Sequence, residues 1–415
     1  VDEVSTLFNV NQQMIHSQGH SMGASGSLSL GMRYGNVFSG IYASEPMTDY
    51  AASPNFQTDF SVLWGSQASN LPIVNRGPYA TALTQYNGTG VYDWMDHPKQ
   101  LARRRGETMA FLMVRHGKAD NIIDWATQGQ PFIAALNAAN VGYTAEVRGA
   151  WDHNWMGFSF AQDAMFSPSI GELGDWVYPK NMSFPGISLA TGSGPNVPGN
   201  TGTDTYNMNI QWATPWNTFD AVIIDTVSRY EISLRSVSGS AQQADVTPQR
   251  LQAFTAPAGT VVNWQNIDNN TGSVVQSGTV TSDVDGLVVI PRMQIGTGSG
   301  NRLILTGSVP KPTLTGPAAT TSSQTPTTTW DAVAAALSYD VWIQNLSTGV
   351  NPVVQANVAT TNFTPATALG IGKFRVWVRA RFANNVISGW STSRDFTINT
   401  APVITTQTSP IPGGT

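Results

Sequence analysis

Up to about residue 165, short apolar runs alternate with helical stretches: Met14 to Ile15, Ala24 to Tyr34, Phe38 to Tyr42, Ala110 to Val114, Gln130 to Ala139 and Tyr143 to Val147. This alternation predicts a parallel sheet covered by helices. The first long helix opens on small residues, Gly23, Ala24, Ser25, Gly26 and Ser27, which suit close packing on a sheet. It then carries Leu28 and Met32 one turn apart, with Gly35-Asn36 as the expected C-cap. From about 175 to 306 the pattern changes to Gly, Asn, Thr and Ser turns between alternating runs such as Tyr230 to Leu234 and Val261 to Trp264, which predicts an all-β sandwich. Thr191 to Thr205 reads as an irregular surface excursion. A third segment opens at Pro310-Lys311-Pro312, and the stretch from Thr400 to Thr415 reads as a linker.

The length of 415 residues exceeds one ordinary core and predicts two to three domains. A hydrophobic content of 41% with 13 Trp marks a globular chain, although charged residues make up only 11%, well under the usual fraction of about 25%. The net charge is −5 and the basic residues are scattered, apart from Arg103-Arg104-Arg105, which reads as a solvated face; no nucleic-acid partner is expected. The absence of cysteine excludes disulfides and Cys-bound metal. No apolar run reaches the roughly 18 residues of a membrane span, and Val1-Asp2-Glu3-Val4 has neither a basic nor an apolar leader region.

Three short stretches carry chemistry. Gly19-His20-Ser21-Met22-Gly23 fits G-x-S-x-G, in which a nucleophile sits on a strained strand-to-helix turn and a β-carbon at either glycine is expected to collide. The apolar strand beginning at Phe111 delivers His116-Gly117-Lys118-Ala119-Asp120 at its carboxyl end, where an α/β sheet places its site. Trp151-Asp152-His153-Asn154-Trp155 follows the strand at 143 to 147 in the same way. The order Ser, Asp, His is that of α/β-hydrolases rather than of the chymotrypsin or subtilisin arrangements. The competing reading of Asp120 is a turn or N-cap carboxylate for a helix near Ile122, with Asp124 as its rival for the acid. That of His153 is a structural histidine between two tryptophans. His16, His20, His97 and His116 all precede the position required of the base, and His116 is expected to shape the turn before Asp120.

On the marks G-H-S-M-G-A at 19 to 24, H-G-K-A-D at 116 to 120 and D-H-N at 152 to 154, residues 8 to 160 resemble the C-terminal half of a secreted α/β-hydrolase of the esterase, polyhydroxyalkanoate depolymerase and prolyl-oligopeptidase-like group. The resemblance implies Ser21 as nucleophile, Asp120 as acid, His153 as base and the Met22 N–H as one oxyanion donor. The second donor and several strands are expected upstream of Val1, so that the native product is longer. Between 48 and 108 lie many aromatics, Tyr79 and Tyr86 among them. There Trp64 and Trp94, with His20 from the elbow, are the candidates for contact with substrate; plain core packing is the other reading of the tryptophans.

Trp330, the strands at 339 to 343 and 374 to 380, and Trp390-Ser391 resemble a fibronectin type III domain in which Phe374 replaces the usual corner tyrosine. The expected fold class is therefore multidomain: a partial α/β-hydrolase over 1–168, a β-sandwich over 169–308, a fibronectin type III-like domain over 309–399 and a linker over 400–415. The resemblances imply a secreted or cell-surface bacterial serine hydrolase acting on a carboxylic ester, with a polymer as substrate and the β domains associating with polysaccharide or cell surface. A prolyl-oligopeptidase-like peptidase and a non-catalytic adhesion protein built on a degenerate hydrolase are the alternatives. No cofactor and no metal are expected. Asp283-Val284-Asp285-Gly286 begins like a calcium loop but lacks the later ligands and reads as a hairpin turn. Asp245 to Gln252 reads as a turn holding its own ion pair, with Arg250 as the cation.

Overall fold

The computed structural model describes residues 2–73, 88–153, 179–194, 202–214, 223–307, 309–333, 336–382 and 387–399. Tyr79, Tyr86, Asn154, Trp155, the expected division at 168 and the stretch 400–415 lie outside the described residues. The chain divides into two compact units, Val1–Gly307 and Ser308–Thr415.

In the first unit a short helix α1 (Asp2–Leu7) precedes β1 (His16–His20), α2 (Met22–Arg33) and β2 (Gly40–Ser44). Three helices follow, α3 (Gln57–Trp64), α4 (Val91–Met95) and α5 (His97–Arg103), then β3 (Phe111–Gly117), α6 (Gln130–Ala139) and β4 (Tyr143–Arg148). Strands β1 to β4 are adjacent and parallel. The strand expected at Met14 to Ile15 lies further along, at His16–His20. Its residues are mostly polar, which an edge position tolerates because one flank has no neighbouring strand among the described residues. Helix α2 buries Ala24, Leu28 and Met32 completely against Ile41 and Leu112. It ends at Arg33, and Gly35 is not its left-handed cap. A β-carbon on Gly35 would lie 2.1 Å from the Thr108 carbonyl oxygen, so glycine is needed there for close approach.

Strand β5 (Phe184–Ser188) begins the β-rich part, and β6 (Thr203–Tyr206), from the predicted excursion, adds antiparallel to β4 at the other edge of the parallel sheet. The remaining strands are β7 (Ile210–Trp212), β8 (Ile224–Thr226), β9 (Arg229–Ser236), β10 (Gln242–Gln249), β11 (Val261–Asp268), β12 (Val274–Thr281), β13 (Ile290–Ile295) and β14 (Asn301–Thr306). One sheet has the order β13-β10-β5 and the other β12-β11-β14-β9-β7, with β8 beside β9. Alternate residues of both meet in one core around Tyr230, Ile232, Val246, Ile290 and Leu303, the sandwich that the period-two pattern predicts. Phe111 joins this core through edge contacts with Phe184 and Trp212, so the sandwich packs on the sheet.

Two expectations for this part change. The Arg250 guanidinium reaches well beyond its own turn. It is buried and donates to the carbonyls of Ser39 (2.9 Å) and Met109 (3.1 Å), just before β2 and β3 begin. Arg105 is not a solvated cation. It bridges Asp283 (2.6 Å) and Asp285 (2.8 Å), so a guanidinium occupies the turn that resembled the start of a calcium loop.

Among the described residues the second unit is all β. Strands β15 (Thr320–Thr321), β16 (Thr328–Thr329), β17 (Ser338–Asn345), β18 (Val353–Val358), β19 (Asn362–Phe363), β20 (Gly372–Arg381) and β21 (Arg394–Ile398) form sheets of order β15-β21-β20-β17-β18 and β16-β19. Phe374, which lacks the corner hydroxyl, is fully buried and stacks on Phe396. The Tyr339 hydroxyl instead accepts the Val333 N–H at 3.0 Å.

Candidate active site

Each of the four parallel strands ends on a loop that presents one titratable or nucleophilic side chain. Ser21 follows β1, Glu45 follows β2, Asp120 lies beyond β3 and His153 beyond β4. Because neighbouring parallel strands run in register, their carboxyl ends converge along one edge, where the loops can meet.

Ser21 sits at φ 57° and ψ −121° between β1 and α2, outside the regions that side-chain-bearing residues prefer. The turn is held by the Ser21 N–H donating to the Ser44 carbonyl at 2.9 Å and by the Ser25 N–H donating to the Ser21 carbonyl at 3.1 Å. A β-carbon on Gly19 would lie 2.1 Å from the Gly23 backbone, so the first glycine is required. One on Gly23 meets nothing within 4 Å, so the second is not, contrary to expectation. Met22 is the first residue of α2 and its side chain is 80% exposed. Its N–H belongs to the helix end whose amides lack intrahelical acceptors and favour negative charge.

His153 bridges the other two groups. Its Nε2 lies 3.0 Å from the Ser21 Oγ, and its Nδ1 lies 2.8 Å from the Asp120 Oδ2. With Nδ1 protonated toward the carboxylate, Nε2 is left to accept the Ser21 hydroxyl proton. The other Asp120 oxygen accepts the N–H groups of Ile122 and Ile123, both at 2.8 Å. The turn carboxylate and the histidine partner are therefore the same residue, and the two readings of Asp120 are compatible. Asp124 is committed elsewhere, capping Thr127.

The loops that carry these groups are fixed to each other. The Ala119 N–H donates to the Trp151 carbonyl at 3.0 Å, and a β-carbon on Gly117 would lie 2.2 Å from that same oxygen. Lys118 forms a buried ion pair with Asp204 on β6 at 2.6 Å. The Gln128 side chain ties the acid loop to the loop after β2, accepting from Thr48 and Asp49 N–H groups and donating to the Asp49 carbonyl, each at 2.8 Å. Burial lowers the pKa of His116, and its Nε2 lies 2.8 Å from the Ile123 carbonyl; it shapes the acid loop as its position predicts.

The three residues expected to contact substrate separate. The His20 ring lies 4.9 Å from that of His153, and burial, followed by the neighbouring His153, lowers its pKa, so it stays neutral beside the base. Trp64 stacks on Phe60, with Tyr50 and Tyr92 around it, in a cluster with Met47 and Ile123 behind the acid loop, where it serves core packing. Trp94 lies under the Arg33 guanidinium at 4.1 Å. Arg33 ends α2 whereas Ser21 precedes it, which puts Trp94 about 18 Å along the helix axis from the nucleophile.

Glu45 was not singled out in the sequence, although an acidic residue directly after the strand beside the nucleophile strand is a legible signal. Its side chain is fully buried. One oxygen lies 3.4 Å from the His153 Nδ1. Burial, then the Asp120 carboxylate, and more weakly Asp152, push its pKa up to about 8. Ligand atoms of His20, Glu45 and His153 lie within 4.8 Å of one another. Both His153 nitrogens already serve Ser21 and Asp120, so this set does not fit a metal.

No family model matches the chain, and neither does any curated protein. Among solved structures, an S-formylglutathione hydrolase from Agrobacterium tumefaciens is similar over 37% of this chain and 47% of its own, at 14% identity and a TM-score of 0.28. The fluorophosphonate-binding serine hydrolase FphF of Staphylococcus aureus is similar over 37% of this chain and 54% of its own, at 20% identity and a TM-score of 0.25. A fibronectin type III-like protein from Clostridium thermocellum is similar over 22% of this chain and 96% of its own, at 29% identity and a TM-score of 0.18. The chain thus spans about half the length of the serine hydrolases it resembles.

Proposed function

We propose that the first unit is a serine hydrolase that cleaves carboxylic esters through an acyl-enzyme on Ser21. The observation that carries this reading is the single imidazole of His153, 3.0 Å from the Ser21 Oγ and 2.8 Å from the Asp120 Oδ2. His153 takes the hydroxyl proton as Ser21 attacks the acyl carbon. Asp120 holds the tautomer and offsets the positive charge on the ring. The oxyanion that forms lies toward the α2 N-terminus, where the Met22 N–H is the donor on this chain. The imidazolium then protonates the departing alkoxide, and water resolves the acyl-enzyme by the same route in reverse.

A polymer-linked ester met outside the cell is our proposal for the substrate, because two β-rich regions accompany the hydrolase site; the association of those regions with polysaccharide or a cell surface belongs to the same proposal. The test is covalent labelling of the full chain by a fluorophosphonate. We expect stoichiometric labelling that Ser21→Ala abolishes while leaving the thermal midpoint in place. No labelling of the unaltered protein, or equal labelling of the variant, would sink the proposal and favour a scaffold role.

A further inference from the structure

The loop after β2 spends conformational energy to deliver a carboxyl group. Glu45 adopts φ 53°, in the left-handed region that side-chain-bearing residues avoid, and its N–H donates to the Arg115 carbonyl at 2.8 Å. That geometry turns the side chain inward, where it is wholly buried. Among the described residues no side-chain cation donates to either carboxyl oxygen; the Gly117 N–H and the Asp120 carboxyl are the hydrogen-bonding groups that face them, the first only weakly favouring the charged form. The nearby Arg115 is engaged by Glu146 at 3.0 Å. The groups that face Glu45 are Asp120 from the loop after β3, His153 and Asp152 from the loop after β4, and His20 from the end of β1. His116 in turn faces Asp120.

Two carboxyl groups side by side in a buried site cannot both stay ionised, and the stable arrangement holds one proton between them. Asp120 has the better claim to the charge, because it accepts two backbone N–H groups and the imidazole N–H. A Glu45 that kept its proton would need no donor and could itself donate to Asp120. We propose that Glu45 is a positioning residue that shares one proton with Asp120 behind His153 and takes over as the acid when Asp120 is neutralised. The 3.4 Å from its Oε2 to the His153 Nδ1 is close enough for that exchange with a small side-chain shift. In the unaltered protein the pair carries one negative charge, which offsets the imidazolium formed when Ser21 gives up its proton. The Glu45 proton stays within the carboxyl pair throughout.

This inference rests on the serine-hydrolase reading, and a double-mutant cycle separates the two. The readout is the rate of fluorophosphonate labelling against pH for the full chain, with Glu45→Gln, Asp120→Asn and the double variant. Asp120→Asn keeps the Oδ1 that holds the Ile122 and Ile123 amides. Loss of a triad carboxylate ordinarily costs about 10⁴-fold. With Glu45 in reserve we expect Asp120→Asn to lose about 10²-fold, and its rate to climb with pH as Glu45 ionises. Adding Glu45→Gln should remove the part of that climb that Glu45 supplies, leaving only that of the histidine base, and bring the loss to about 10⁴-fold. Glu45→Gln alone should cost about threefold at neutral pH, a non-additive pattern expected of groups in contact.

A loss of about 10⁴-fold in Asp120→Asn that Glu45→Gln does not deepen would overturn the inference while leaving the hydrolase reading intact. A pH profile of Asp120→Asn that Glu45→Gln leaves unchanged would overturn it as well. If the unaltered protein does not label, both readings fall. Asp120→Ala, which clears the space between Glu45 and His153, repeats the comparison should the asparagine amide block the exchange. A rate for Asp120→Ala that Glu45→Gln does not lower overturns the inference in that background too.

Discussion

The parallel sheet and the described strands of the second unit handle charge differently. In the sheet, two ion pairs are interior, although Arg148, which also meets Glu146, is partly exposed. Lys118 and Asp204 are both nearly inaccessible, and Arg115 with Glu146 is little more exposed. In the second unit Arg375 meets Asp395 at the surface, whereas Arg379 and Arg381, themselves half-exposed, share the buried Asp340. A buried pair is an expensive way to gain stability, because desolvation consumes most of the Coulomb attraction. Its presence next to a catalytic loop is better explained by position. Lys118 lies two residues before Asp120, and its tie to β6 fixes the loop that must hold the acid within bonding distance of His153. The surface pair has no comparable loop to hold, and its loss should matter little.

Three measurements test that contrast. The largest effect is expected for Lys118→Met, which takes the lysine counter-charge from the buried Asp204 and should cost about 3–5 kcal/mol. Chemical denaturation of the full chain checks it, and a cost under about 1 kcal/mol would mean that Asp204 simply protonates or finds water.

The second is a pH effect confined to the first unit, which holds all five histidines of the chain. His97 is fully buried, near the Ser29 hydroxyl at 2.9 Å, and burial lowers its pKa to about 4 from 6.5. Below pH 6.5 the unfolded chain takes up a proton that the fold refuses. The contribution of neutral His97 is therefore complete above pH 6.5, is lost as pH falls toward 4 and levels off beneath that. The span is worth about 3 kcal/mol, and His97→Gln should flatten the stability slope across that window. An unchanged slope would show that the histidine is solvated.

The smallest effect is expected in the second unit, where Arg375→Ala breaks an exposed pair and should leave the thermal midpoint where it was, as scanning calorimetry can report.

The parts of the site legible in the sequence are those set by local rules. G-x-S-x-G requires a particular turn, and the groups at 116–120 and 151–155 each follow an apolar strand whose direction the flanking helices imply. What was not legible depends on register and on contacts across long stretches of chain. Strand β1 was displaced because Met14-Ile15 is more apolar than His16–His20, whereas an edge strand is selected by pairing with Gly40–Ser44. The place of Trp94 beside Arg33 was not legible, because aromatic content says nothing about which end of α2 a later helix will meet. Glu45 offered a signal in its place directly after a strand, but its burial follows only from the pairing of that strand on both sides. Arg250 resembled a turn residue until its guanidinium was found under the amino ends of two strands far away in sequence.

Arg250 and its counterparts bear on how such a chain can be rearranged. Residues 1–153 read like a portable cassette, since the whole Ser-His-Asp set lies within them. Yet Lys118 relies on Asp204, the carbonyls before β2 and β3 rely on Arg250, and Arg105 reaches 180 positions forward to Asp285. Transplanted alone, the cassette would retain its nucleophile and lose the counter-charges that hold its loops. Recombination that respected only the motif boundaries would yield a chain with Ser21, Asp120 and His153 present but with the Asp120 loop cut off from its Asp204 anchor. For this architecture, the smallest unit that can be exchanged without repair runs through Gly307.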